Sequence, residues 1–133
     1  MPYFIGLDIG TSAAKALLCD QDGKIVVIAQ QEYPLYSPQP LWSEQNPSDW
    51  WQGSIHAIQQ LLAQSAISPS LVSGIGLTGQ MHGSVFLDRE DQVIRPALLW
   101  NDQRTAAECE QITTAVGYER LIEIAGNPAL TGF

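Results

Sequence analysis

The segment Gly6-Leu7-Asp8-Ile9-Gly10-Thr11-Ser12-Ala13-Ala14-Lys15 gathers the groups needed to hold a phosphate chain together with its counter-ion. Gly10 has no Cβ, so the backbone there can approach an anion closely. Thr11 and Ser12 add N–H groups and hydroxyls that donate to phosphate oxygens, and Lys15 adds a positive charge. Asp8 is a hard oxygen ligand that magnesium accepts directly or through water. Together they suit the phosphates of a nucleotide. The same residue types also build an ordinary hairpin reversal, in which Gly10 takes a positive φ and the two hydroxyls cap backbone groups.

Two later clusters carry groups suited to a polyhydroxylated ligand. In Gly79-Gln80-Met81-His82-Gly83, glycines expose a histidine whose neutral imidazole both donates to and accepts from hydroxyls. A lone histidine serves equally as a satisfied structural residue. In the second cluster, Trp100 offers an apolar plate, and Asn101, Asp102 and Arg104 offer polar groups. The competing reading is that Asn101 or Asp102 caps the following helix while Trp100 fills the core. Trp42, Trp50 and Trp51 read as packing residues, the last two by their place on a helix.

Residues 3 to 9, 14 to 19 and 24 to 33 are rich in Ile, Val, Leu, Phe and Tyr. They are separated only by Gly10-Thr11-Ser12 and Gln21-Asp22-Gly23. Connections that short cannot cross over to a parallel neighbour, so an antiparallel three-stranded meander is expected. Asn46-Pro47-Ser48-Asp49 has a cap residue, proline at the first helical position and an acid in the first turn, which starts a helix. That helix is expected to end near Ser65 and to lay Trp51, Ile55, Ile58 and Leu62 on the sheet. Val72 to Thr78 reads as a buried, glycine-rich strand. Ser84 to Leu87 and Val93 to Leu98 read as short strands around Asp88-Arg89-Glu90-Asp91. Helices are expected from about Arg104 to Ala115 and from about Tyr118 to Ala125, the second stopped by Gly126-Asn127-Pro128. This order specifies an α/β layered domain with a mixed sheet. The spacing of the first glycine turn matches neither the dinucleotide fingerprint nor the P-loop.

With these segments in place, Asp8-Ile9-Gly10-Thr11-Ser12 resembles the first phosphate motif of the actin-like ATPase superfamily, which includes the FGGY carbohydrate kinases. Leu41-Trp42-Ser43-Glu44-Gln45-Asn46-Pro47, Gly79 to Gly83 and Leu99-Trp100-Asn101-Asp102 resemble segments of the xylulokinase branch, in the same order and at similar spacing. The resemblance implies an actin-like (ribonuclease H-like) α/β fold whose mixed sheet starts as the antiparallel meander, with helices packed on it. It implies ATP and Mg2+ as cofactors and D-xylulose as the sugar phosphorylated, on its 5-hydroxyl. Asp8 would then serve the metal, and Gly10, Thr11, Ser12 and Lys15 the phosphates. Met81, His82, Trp100, Asn101, Asp102 and Arg104 would serve the sugar. In such kinases the sugar sits between two actin-like domains, and the general base comes from a later stretch of chain. Residues 1–133 are therefore expected to be an incomplete N-terminal domain without a catalytic base of its own. Glycerol, gluconate or ribulose as the acceptor, and a noncatalytic actin-like binding module, stay open as alternatives.

Composition narrows the classes further. A length of 133 residues with 45% hydrophobic and only 15% charged residues supports a folded core. Six Lys and Arg against fourteen Asp and Glu give a net charge of −8, which repels nucleic acid and acidic membranes. The N-terminal segment lacks a signal peptide's basic region and long apolar core, and no apolar run could span a bilayer. A cytoplasmic protein with reduced, buried thiols at Cys19 and Cys109 is expected. Apolar surface meant for a second domain would favour self-association, for instance as a homodimer.

Overall fold

A computed structural model describes all residues, Met1–Phe133. The chain divides into two compact units, Met1–Leu35 with Asn46–Gln80 and Tyr36–Gln45 with Met81–Phe133.

The first unit is a four-stranded sheet under one long helix. Strands β1 (Tyr3–Ile9), β2 (Ala13–Asp20) and β3 (Ile25–Glu32) form the expected antiparallel meander. Gly23 takes φ +79° in the second turn, the left-handed value that an Asp-Gly hairpin uses. Helix α1 (Pro47–Ser65) starts as read: the side chain of Asn46 accepts from the N–H of Ser48, and Pro47 opens the first turn. It ends on Ala66 in the left-handed region, with Ser65 Oγ accepting from Ile67 N–H. The chain then passes a 3₁₀ turn (Pro69–Leu71) into β5 (Val72–Gly79), which lies beside β1 and runs parallel to it, giving the order β3-β2-β1-β5.

Strand alternation points Ile5 and Leu7 of β1, Ala14, Ala16 and Leu18 of β2 and Ala29 of β3 toward α1. They form one core with Ala57 and Leu61 of the helix. The helix face that meets the sheet is not the large-residue stripe expected from spacing. Gly53, Ser54, Ala57 and Leu61 are buried, Ile58 and Leu62 flank them, and Trp51 stays 67% exposed. Small residues win because a sheet surface lined by alanines leaves room for a close backbone but none for an indole. The expectation of a buried β5 is also overturned, since Ile75 and Leu77 are exposed. β5 is the edge strand farther from α1, which lies over β2 and the opposite edge, β3.

The second unit is built around two short strands, β4 (Glu44–Gln45) and β6 (Ala97–Leu98), paired antiparallel. Ser43, Gln45, Ala97, Leu99 and Asp102 are its buried residues, together with Glu44. Of the two strands expected around Asp88, the second survives only at its end as β6, and the rest reduces to single bridges, Leu87 with Val93 and Ser84 with Leu98. The Asp88 carboxylate accepts from Glu90 and Gln92 N–H groups and closes that turn. Helices α2 (Ala106–Val116) and α3 (Tyr118–Ala125) follow, with Gly126 ending α3 at φ +74°. Both cysteines are free, and both are half-buried rather than buried.

Candidate functional site

In the first unit, the carboxyl ends of the parallel strands β1 and β5 both run into glycine turns. The edge where parallel strands end is where open α/β sheets bind ligands. Gly10 N–H donates to the Ala13 carbonyl at 3.0 Å and so closes the turn around Thr11 and Ser12. Gly10 does not take the positive φ that a plain reversal would ask of it. A Cβ there would lie 3.3 Å from the Ala13 carbonyl oxygen, so its small size serves tight closure. Thr11 Oγ1 donates to Gln80 Oε1 at 3.2 Å, and Gln80 N–H donates to the Ile9 carbonyl at 2.9 Å. The two turns are thus laced together. At Gly79 an added Cβ would sit 2.9 Å from the Ile9 carbonyl oxygen, which explains a glycine at that close approach.

Asp8 is exposed on the face of the sheet away from α1, directly across from Lys15 on β2 and from Thr78 on β5. The three line a groove of about 450 Å³ together with Gly6, Leu17 and Gly76. Of the residues singled out for phosphate and metal, Asp8 and Lys15 line this groove, whereas Gly10, Thr11 and Ser12 lie in the turn between β1 and β2 and are not among its lining residues. No group of three His, Cys, Asp or Glu side chains converges to hold a metal. Asp8 alone offers one accessible carboxylate, and one is the number magnesium can take from a protein when phosphates and water complete its shell.

Tyr33, at the end of β3, was not singled out from the sequence. Its N–H donates to the Ser12 carbonyl and its hydroxyl to the Gly10 carbonyl, so it clasps the turn from below. Gly53 of α1 makes room for it, since a Cβ there would lie 2.8 Å from the Tyr33 ring. Burial, with a smaller push from the charge of Asp8, raises the phenol from 10.0 to about 12. A folded value above the unfolded one means that this group's stabilisation is whole below pH 10 and is lost as pH rises through about 12. Phenolate absorbance should show a tyrosine ionising near pH 12 that Tyr33→Phe removes, at a stability cost of about 1 kcal/mol. An alkaline titration curve that Tyr33→Phe leaves unaltered would contradict the clasp.

In the second unit, Met81 and His82 are exposed, with His82 at φ +61° and Gly83 N–H donating to the Met81 carbonyl at 2.9 Å. Trp100 is 39% exposed and Asn101 is exposed beside it. Asp102 and Arg104 are placed differently. Asp102 is buried and accepts from Ser43 N–H at 2.7 Å, from Arg104 N–H at 2.9 Å and from the Arg104 guanidinium. Arg104 also bridges to Glu44 at 2.7 Å and lies 3.7 Å over the Trp42 ring, while Arg95 reaches Glu44 from outside. Neither Asn101 nor Asp102 caps α2, whose first turn follows Thr105 with no side-chain cap. Asp102 instead cross-links the β4 segment to the turn after Leu99. Burial alone would push its carboxyl up, but the hydrogen bonds from Arg104 and from the Ser43 and Arg104 N–H groups hold it below 3.8. The Asp102 hydrogen bond in turn raises Arg104 above its ordinary value against the opposing effect of burial.

Residues 3–133 match the FGGY family of carbohydrate kinases, N-terminal domain. The chain belongs to the FGGY family. Among FGGY relatives, a xylulose kinase of Bacillus subtilis (strain 168) is 44% identical over the whole of this chain, which spans 26% of that protein. A crystal structure of a xyloylose kinase from Brucella ovis superposes with a TM-score of 0.91 at 41% identity, over 98% of this chain and 27% of that one. The xylulose kinase from Rhodospirillum rubrum gives 0.91 at 29% identity, again over 98% of this chain. The fold is the actin-like one of these sugar kinases, and the chain spans about a quarter of the length of the FGGY relatives it matches.

Proposed function

We propose that this chain supplies the phosphate-holding turn and part of the sugar site of a kinase that moves the γ-phosphoryl group of ATP to D-xylulose, forming D-xylulose 5-phosphate. The observation that carries the reading is the laced turn at Gly10, Thr11 and Ser12, set at the ends of a parallel strand pair with an accessible Asp8 at its base. The choice of sugar is supported by the likeness to xylulose kinases of Bacillus subtilis and Rhodospirillum rubrum.

Phosphoryl transfer passes through a loose transition state, so catalysis consists of positioning and of neutralising charge on the transferring group. N–H groups of Thr11 and Ser12 and the hydroxyl of Ser12 bind phosphate oxygens, while the Thr11 hydroxyl is taken up by Gln80 in lacing the turns together, and Lys15 adds positive charge beside them. Asp8 is the residue that would hold Mg2+, directly or through water; the ion, when bound, neutralises phosphate charge. Met81, His82, Trp100 and Asn101 take the sugar, the indole against an apolar face and the imidazole against hydroxyls. Asp102 and Arg104 act by holding that turn in shape. With Asp102 enclosed by its donors, the base that takes the hydroxyl proton is assigned to the part of the kinase beyond the quarter shared here. Such a base contributes a factor of about 10² to 10⁴. No helix is long and apolar enough to cross a membrane, and with both cysteines free the cytoplasm is the proposed setting.

ADP release by the full-length kinase, measured with D-xylulose, ribulose, gluconate and glycerol, tests the reading. D-xylulose is expected to give the highest kcat/KM. Preference for another acceptor overturns the substrate, and no turnover with any overturns the kinase. His82→Ala should raise the sugar KM about tenfold while leaving the ATP KM unchanged.

A further inference from the structure

His82 sits at the centre of a γ-turn, closed by the 2.9 Å hydrogen bond from Gly83 N–H to the Met81 carbonyl, with a positive φ of 61°. That form of the turn is rare and strained, and a β-carbon-bearing residue stays in it only when surrounding contacts over-determine it. An exposed imidazole on such a turn would also sample several rotamers, and a ring nitrogen that must meet a hydroxyl at a set angle loses by that freedom.

The side chain shown to restrain this ring is that of Phe133. The two rings stack with centroids 4.0 Å apart and planes 27° from parallel. Phe133 meets the ring from the C-terminal segment, fifty-one residues further along the chain. Its own position is set from behind. Gly132 takes φ +76°, and a Cβ there would collide with the backbone carbonyl of Trp100. The segment carrying Phe133 is thus seated against the backbone of another proposed sugar residue. His82, Asp102, Thr105, Gly132 and Phe133 line a pocket of about 50 Å³, room for a water and not for a further side chain.

We propose that Phe133 is a positioning residue for sugar binding. By covering one face of the His82 imidazole it fixes the ring plane, so that only the edge nitrogens are presented to a sugar hydroxyl. The proposal rests on the reading of His82 as a sugar contact. It adds to that reading the group that makes the contact directional.

The test uses the full-length kinase with Phe133→Leu, Phe133→Tyr and His82→Ala, and reads the His82 ring protons by NMR beside the kinetics. Loss of the aromatic in Phe133→Leu should move the His82 ring-proton resonances downfield, as the ring current is withdrawn. It should raise the sugar KM about tenfold with kcat and the ATP KM held within about twofold. Phe133→Tyr should restore both the resonances and the KM. Resonances that do not move in Phe133→Leu overturn the stack. A sugar KM unchanged in Phe133→Leu but raised in His82→Ala overturns the positioning role alone. A KM unchanged in both variants overturns the sugar-contact reading of His82 as well. Should Phe133→Leu fail to fold, Phe133→Met carries the same readouts.

Discussion

Replacing Asp8 with alanine in the full-length kinase is expected to lower kcat by at least about 10²-fold while the sugar KM stays nearly constant. Removing a single preorganised group that stabilises transition-state charge typically costs a factor of about 10² to 10³. Asp8 is the one carboxylate in the groove on that face of the sheet, and its cross-strand neighbours are Lys15 and Thr78. Neither neighbour can take over as an anionic ligand. Because Asp8 is exposed, the change should leave the thermal midpoint almost unmoved, with a stability effect within about 0.5 kcal/mol. Loss of activity can then be told apart from loss of fold. Turnover within about threefold of the parent would remove Asp8 from the phosphoryl-transfer machinery, and with it the main support for the turn as an anion cradle.

Asp102→Ala should be the most damaging of the substitutions to stability, by about 3 to 5 kcal/mol. The carboxylate is 2% exposed and engages both oxygens, so its removal strands the Ser43 N–H group and takes from Arg104 one of its two anionic partners. Breaking a buried pair costs more than the pair itself contributed, because the remaining charge, here Arg104 left with Glu44 alone, stays desolvated with less compensation. A drop of about 10 to 20 °C in the thermal midpoint of this domain is the readout. The pH dependence has a defined sign. The carboxyl of Asp102 is held below its ordinary 3.8 in the folded chain, so the unfolded chain binds the proton more tightly. Its stabilisation is complete above about pH 4 and is lost as pH falls through the lowered folded value. Urea unfolding at neutral and acid pH should show this acid-side loss in the parent and a weaker one in Asp102→Asn. An equal acid loss in both would mean that other carboxylates carry it.

The meander was legible because apolar runs joined by very short connections, the second holding an Asp-Gly pair, are local signals that tertiary packing has no reason to override. The start of α1 was legible for the same reason, since Asn46 and Pro47 act on N–H groups within one turn of themselves. Which face of α1 is buried was not. Side-chain size ranks Trp51 and Ile55 above Gly53 and Ala57, but the partner surface of Ala14, Ala16 and Ala29 rewards the small residues. The same limit hid Tyr33. An aromatic at the end of a strand reads as packing until the Gly10 and Ser12 carbonyls are found next to it. Asp102 and Arg104 stood in a cluster whose composition suited a sugar. Their partners Glu44, Ser43 and Trp42 lie more than fifty residues earlier in the chain, and no spacing rule reaches that far.

The chemistry on offer, then, was written in short stretches of residues: a carboxylate before a glycine turn, hydroxyls within it, a histidine between glycines. What those stretches could not specify was which groups remain available. That depends on long-range neighbours: β5 coming alongside β1, Tyr33 folding under the turn, and Arg104 closing on Asp102. A hydrogen bond or a charge pair satisfied inside the fold is withdrawn from any ligand, and only the packed chain decides which ones are.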